Sequence, residues 1–205
     1  MQMMSKGNIA RVVNGLLIIT FFLFASGCTS KTARIPDNDN IPEKAHLDVP
    51  LVQQRDNYSC ATTSLAMVMS FYDKKIYDPK EVWKASGSSS NDVLRFGNDM
   101  FGLKKAAKAY GFTEFEFRNN ISTDEIRRYI AHGVPVVVNI RDFFGNTSHA
   151  VVVIGYDKDD LYIRDPSKSF IYRKKYQYFK DNWWANLTYP KGRYKQSAFI
   201  LFPDK

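Results

Sequence analysis

The chain has 205 residues, 44% of them hydrophobic and 15% aromatic. That is enough apolar material for one core, and it excludes a disordered chain. A formal net charge of +8 is a mild basic bias that does not require a nucleic-acid partner.

The first segment reads separately from the rest. Lys6 and Arg11 form a positive start, and "LLIITFFLFA", Leu16 to Ala25, is an apolar run too short for a spanning helix of about 20 residues. With the small residues of "ASGC" after it, this is the order of a secretion signal. Ala25-Ser26-Gly27-Cys28 resembles the bacterial lipobox, although Ala25 stands where leucine is usual. The resemblance implies removal of residues 1–27 and lipid attachment at Cys28. Several acyl chains together hold a protein stably on a membrane. Loss of Lys6 and Arg11 lowers the formal charge to about +6. Residues 28–46 are polar, with Pro36 and Pro42, and read as a flexible tether. The domain is expected over 47–205.

Along that domain, "SCATTSLAMVMSFYDKK" reads as a helix with Ser59 as N-cap and Cys60 in its first turn. Ala61, Leu65, Val68 or Met69, and Tyr72 share one face. "DPKEVWKAS" is a second helix, capped by Asp78 with Pro79 at its first position. "GLKKAAKAYG" is a third, closed by Gly111. "STDEIRRYIAHG" is a fourth, with Ser122 and Glu125 as a capping box and Gly133 as its stop. Strands follow at 134–141, 149–157, 160–165 and 197–202, rich in β-branched residues. Helices first and strands later predict an α+β fold with an antiparallel sheet.

With Cys28 acylated, Cys60 is the only thiol left, so no internal disulfide can form. A free cysteine is often a small buried hydrophobe. The first turn of a helix, however, favours a thiolate, and an unused thiol is a liability in an oxidising compartment. A nucleophile needs a base. Of three histidines, His46 lies at the end of the tether and His132 at a helix C-terminus, where a solvated cation is at home. His149 opens the strand "HAVVVIGYD" and is placed to face a cleft. Asp165, in "YIRDPS", ends the next strand. With a turn near Lys158–Asp159, position 149 falls opposite about 168, so Asp165 lies near the same end of the sheet and can orient the imidazole. Asp-Pro also starts a turn there.

Gln54 and Cys60 six apart, an amphipathic helix, then "HAVVVIGYD" and "DP" together resemble the papain-like, bacteriocin-processing cysteine peptidases, which cut double-glycine leader peptides. The likeness runs over about 48–202. It implies a papain-like fold, with Cys60 as nucleophile, His149 as general base, Asp165 as its orienter and Gln54 as oxyanion donor. It implies no cofactor and no metal, and the chain has neither Cys-x-x-Cys nor His-Glu-x-x-His. Exporter-linked members carry Asp-Cys-Gly at the nucleophile, where this chain has Ser59-Cys60-Ala61. A Gly-rich phosphate loop ending in Gly-Lys-Ser/Thr is missing too, so a stand-alone lipoprotein member without the exporter is expected.

The expected partner is a peptide or protein substrate, such as exported cargo with a Gly-Gly-type site. The membrane is met through the lipid anchor, and nucleic acid is not a partner. The expected location is the bacterial envelope. Thr29 in place of an aspartate after Cys28 directs it to the periplasmic face of the outer membrane in a Gram-negative cell. Two other functions fit the same residues. One is an inactive peptidase-like domain that binds segments of a secretion partner. The other is a cell-wall amidase or acyltransferase, although the Asp-Cys-Ser-Gly usual for that amidase type is missing. The basic aromatic stretch 170–195 is expected to pack Phe179, Trp183 and Trp184 as core or cleft wall.

Overall fold

A computed structural model describes residues 35, 40–91, 93, 100–141, 148–188 and 191–203. The expected signal segment, Cys28, most of the expected tether and residues 142–147 lie outside the described residues. In chain order the elements are β1 (Ala45–His46), α1 (Cys60–Asp73), α2 (Pro79–Ser86), α3 (Met100–Ala109), β2 (Phe115–Arg118), α4 (Thr123–Ala131), β3 (Val136–Arg141), β4 (Ser148–Tyr156), β5 (Asp160–Arg164), β6 (Ile171–Lys175), α5 (Tyr176–Asn182), β7 (Trp184–Thr188), β8 (Lys191–Lys195) and β9 (Ala198–Leu201).

One sheet runs β2-β9-β3-β4-β5-β6, and β1 pairs with the C-terminal end of β4. Every pairing in it is antiparallel. The hairpin β7-β8 stands as a second sheet. Both faces of the main sheet are covered. Val137, Ala150, Val152, Ile154 and Phe199 pack against α1, α2 and α3. Val136, Val138, Ile140, Val151 and Val153 pack against Ile126 and Ile130 of α4, Phe179 of α5, and Trp183. Double coverage explains why β3 and β4 read as unbroken apolar runs rather than alternating ones.

The helices start and stop for local reasons. Asp78 accepts from the Lys80 N–H at 2.9 Å, with Pro79 beside it. Ser122 and Glu125 close a reciprocal capping box, and Gly133 leaves α4 at φ +79°. The strongest departure from expectation is α1. Its residues Cys60 through Ser70 are all buried, so it is a central helix rather than one with a single apolar face. Two of its polar groups are met locally: Thr62 Oγ1 donates to the Ser59 carbonyl at 3.1 Å, and Ser70 Oγ accepts from the Tyr77 N–H at 3.0 Å, while Thr63 Oγ1 is buried without a partner.

Order also begins before residue 47. Tyr156 Oη donates to the Pro42 carbonyl at 2.9 Å, and Ile35, Ile41 and Ala45 lie against the core. Residues 40–46, given to the tether by their polar composition, are therefore held by pairing and packing that composition does not reveal. Phe179 and Trp183 are core, as expected. Trp184 is half-buried and takes the Arg141 guanidinium 5.3 Å from its ring. Strands β1, β2, β6, β7 and β8 and helix α5 are additions to the elements expected from the sequence. Among them β2 had a signal, since Phe115 and Phe117 alternate with Glu116, and Phe115 stacks on Phe199 at 5.7 Å.

Candidate active site

The loop before α1 shapes its first turn. Asp56 Oδ1 accepts from the N–H groups of Tyr58 at 3.0 Å and Ser59 at 2.8 Å. Ser59 is the cap residue by position, but its side chain caps nothing. The first turn of α1 carries no acidic residue. The positive end of the helix meets Cys60, the first helical residue, and the Asp56 carboxylate lies on the N–H of Ser59 just before it. Cys60 is free of disulfide and 4% exposed.

One turn further, Ser64 Oγ donates to the Ala150 carbonyl at 3.2 Å. This bond ties α1 to β4 beside His149. The imidazole is hydrogen-bonded to the Cys60 side chain. On its other side, Nε2 lies 2.8 Å from Asp165 Oδ1, which leaves Nδ1 as the ring nitrogen for the thiol. Burial of the ring is the largest single influence on His149 and opposes its charge. The Asp165 hydrogen bond, with the bond and charge of Cys60, outweighs it and raises the pKa to about 10.

Asp165 is 2% exposed. Burial alone would push its carboxyl up. The His149 hydrogen bond and charge, then the Ser167 N–H and hydroxyl, reverse that and bring it to about 2. Oδ1 accepts from Ser167 N and Oγ, both at 2.8 Å, and Oδ2 accepts from Tyr172 Oη at 3.0 Å.

The register explains why these two side chains meet. Near the turn, Tyr156 pairs with Leu161 and Gly155 with Tyr162, but beyond an irregularity Val153 pairs with Ile163 and Val152 with Arg164. Continued one residue, that register sets Asp165 across from Val151. His149 is two residues from Val151, so its side chain shares that face. Without the shift Asp165 would stand across from Val152, on the opposite face. The sequence register of 149 with about 168 is thus off by one, and the added bulge residue is the reason.

Gln54 is placed by its backbone, whose N–H donates to the Pro166 carbonyl at 2.9 Å, next to Asp165. Its Nε2 donates to the Asp56 carbonyl at 2.7 Å, and its buried Oε1 has no partner. Of the other histidines, His46 is exposed in β1 and His132 is exposed, with Nδ1 2.8 Å from the Arg128 carbonyl. Ser167, Tyr172, Ser64 and Asp56 escaped the sequence reading. "DPS" gave a signal for Ser167, because an Asp followed two residues on by an N–H is an Asx turn. Tyr172 gave none, since only the β5-β6 pairing, Ile163 with Tyr172, brings it there.

The family model described as "Peptidase_C39 like family" matches residues 46–191. The lactococcin-G-processing and transport ATP-binding protein of Lactococcus lactis subsp. lactis is 28% identical over 149 residues, covering 72% of this chain and 20% of that protein. The chain thus spans about a fifth of that relative's length. The double glycine motif protease of an AMS/PCAT transporter, solved in complex with the leader peptide, superposes with a TM-score of 0.55 at 22% identity. It covers 78% of this chain and 95% of that one. Xylellain, a cysteine protease from Xylella fastidiosa, gives 0.59 at 14% identity over 84% of this chain and 91% of that one. The fold is therefore that of the papain-like cysteine peptidases.

Proposed function

This chain belongs to the Peptidase_C39 like family, and from that premise we propose that it is a cysteine peptidase working through Cys60, His149, Asp165 and Gln54. The observation that carries the reading is the chain of contacts from the Asp165 carboxylate through His149 to the Cys60 thiol at the start of α1.

The thiolate attacks the scissile carbonyl carbon. A carbon–sulfur bond forms as the carbonyl electrons move onto oxygen. The Cys60 N–H and Gln54 Nε2 receive that oxyanion. One hydrogen of Nε2 is on the Asp56 carbonyl, so the second is the one for substrate. As the tetrahedral species collapses, the His149 imidazolium gives its proton to the leaving nitrogen and the peptide bond breaks. Water then attacks the thioester while neutral His149 takes its proton. The new carboxyl product departs and the thiolate–imidazolium pair returns. Asp165 stays ionised throughout and holds the ring.

The substrates in this reading are leader peptides or flexible segments of exported proteins, cut after small residues such as glycine. Support comes from the named roles of the lactococcin-processing and double-glycine relatives. The chain is proposed to act in the envelope, lipid-anchored at Cys28, on the periplasmic face of the outer membrane if the cell is Gram-negative. The anchor rests on "ASGC" after a short apolar run.

The test is peptide digestion read by mass spectrometry, with mature wild type against Cys60→Ala. Peptides bearing Gly-Gly sites should be cut by wild type alone. A docking domain without turnover is the second reading, and the feature that favours it is the Gln54 amide already engaged by its own loop. Wild type that cuts no peptide, including exported proteins encoded beside its gene, would replace the first reading with the second.

A further inference from the structure

We infer that Tyr172 is a positioning residue for the proposed Cys60–His149 pair, acting through Asp165 from the outermost strand of the sheet. The inference rests on the peptidase reading, and goes beyond it by adding a group that touches neither thiol nor imidazole. A carboxylate can rotate about its own axis, and a single hydrogen bond to His149 does not stop it. Here the two oxygens are held separately. Oδ1 takes His149 Nε2, Ser167 N and Ser167 Oγ, each at 2.8 Å, while Oδ2 takes Tyr172 Oη at 3.0 Å. Donors on both oxygens fix the carboxylate plane, and that plane fixes the ring.

The two supports differ in origin. Ser167 belongs to the same tight turn as Asp165, so it follows wherever the turn goes. Tyr172 comes from β6 and is registered to Ile163 of β5. Its ring is packed edge-on by Phe170 at 6.4 Å between centroids, and Lys174 Nζ lies 5.7 Å from the ring centre. Tyr172 thus ties the site to β6, which otherwise carries the exposed side chains Ile171, Arg173 and Lys175. Among the described residues, the charged groups that act on the imidazole are Asp165 and the Cys60 thiolate. Each supports the imidazolium, and Tyr172 acts on the first.

Loss of the Tyr172 hydroxyl should loosen Asp165 and lower the imidazolium's grip on its proton. The readout is Cys60 alkylation by iodoacetamide followed against pH, which needs no known substrate. In the mature wild-type chain the thiolate–imidazolium pair gives a reactive plateau below the region near pH 8.5 where a free thiol titrates. Its upper end is set by His149. Tyr172→Phe, which keeps the ring packing, should move that upper limb to lower pH by about half a unit or more, with an unchanged melting temperature. Ser167→Ala, an exposed position, should move it the same way and serves if Tyr172→Phe does not fold. A limb unmoved in the folded variants overturns the inference while leaving the peptidase reading intact. A wild-type curve that is already that of an ordinary thiol overturns the peptidase reading instead.

Discussion

At the residue scale the decisive question is which charges coexist. His149 has its folded pKa raised from 6.5 to about 10. Its contribution to stability is therefore complete below about pH 6.5 and is lost as pH rises through about 10. Asp165 is lowered from 3.8 to about 2, so its contribution is present above about pH 4 and lost as pH falls towards 2. Asp165→Asn should accordingly lower the melting temperature most between about pH 4 and 6.5, with the gap to wild type closing towards pH 10. A gap that widens at alkaline pH would contradict the sign. Gln54 gives a separate expectation. Loss of an oxyanion donor costs roughly a hundred- to thousand-fold in turnover, while alkylation forms no oxyanion. Gln54→Ala should depress peptide cleavage by about that factor and leave Cys60 alkylation unchanged. Gln53→Ala, at an exposed neighbouring position, should cost little. Equal losses in both variants would remove Gln54 from the proposed oxyanion site.

At the scale of elements, the site depends on a helix start and a strand irregularity. Cys60 is the first residue of α1, at the positive end of the helix, and the shift between Val153 and Gly155 brings Asp165 onto the face of His149. Gly155 also allows β1 to approach. A Cβ there would meet the Ala45 carbonyl oxygen at 2.8 Å, Tyr162 Cδ2 at 2.8 Å and His46 Cα at 3.3 Å. Backbone cannot step aside as a side-chain tip can, so Gly155→Ala is expected to destabilise by about 1–3 kcal/mol. The damage should be local to β1. Hydrogen exchange at the Leu47 N–H, which donates to the Ile154 carbonyl at 2.8 Å, should quicken more than exchange within β3. Uniform quickening, or an unchanged melting temperature, would show that the strand tolerates the added methyl.

Over the whole molecule, the chain joins the domain at one end of β4 and the site lies at the other. Ala45 pairs with Tyr156, and His149 is seven residues back along the strand, about 23 Å at the usual rise. No helix among the described residues is long and apolar enough to cross a membrane. The proposal places membrane attachment at Cys28 because "ASGC" follows a short apolar run. Cys28→Ser should move the protein out of the processed membrane fraction, read by fractionation and intact mass. A native protein with no diacylglycerol on its mature N-terminus would remove the anchor.

Sequence alone determined what depends on neighbours along the chain. The caps of α2 and α4, the apolar runs of β3 and β4, and the place of Cys60 in a first turn follow from local chemistry and were all legible. The pairing of His149 with Asp165 was legible as far as the same end of one hairpin. What it could not contain was the added residue in β4 that puts both side chains on one face, because a bulge is set by packing against β1 and β5. Nor could it show that α1 is buried all round, since that follows from the sheet on one side and α2 and α3 on the other. Tyr172 is the clearest case. An exposed-looking "IYRKK" carries no mark of the site, and only the antiparallel return of β6 along β5 places its hydroxyl on Asp165.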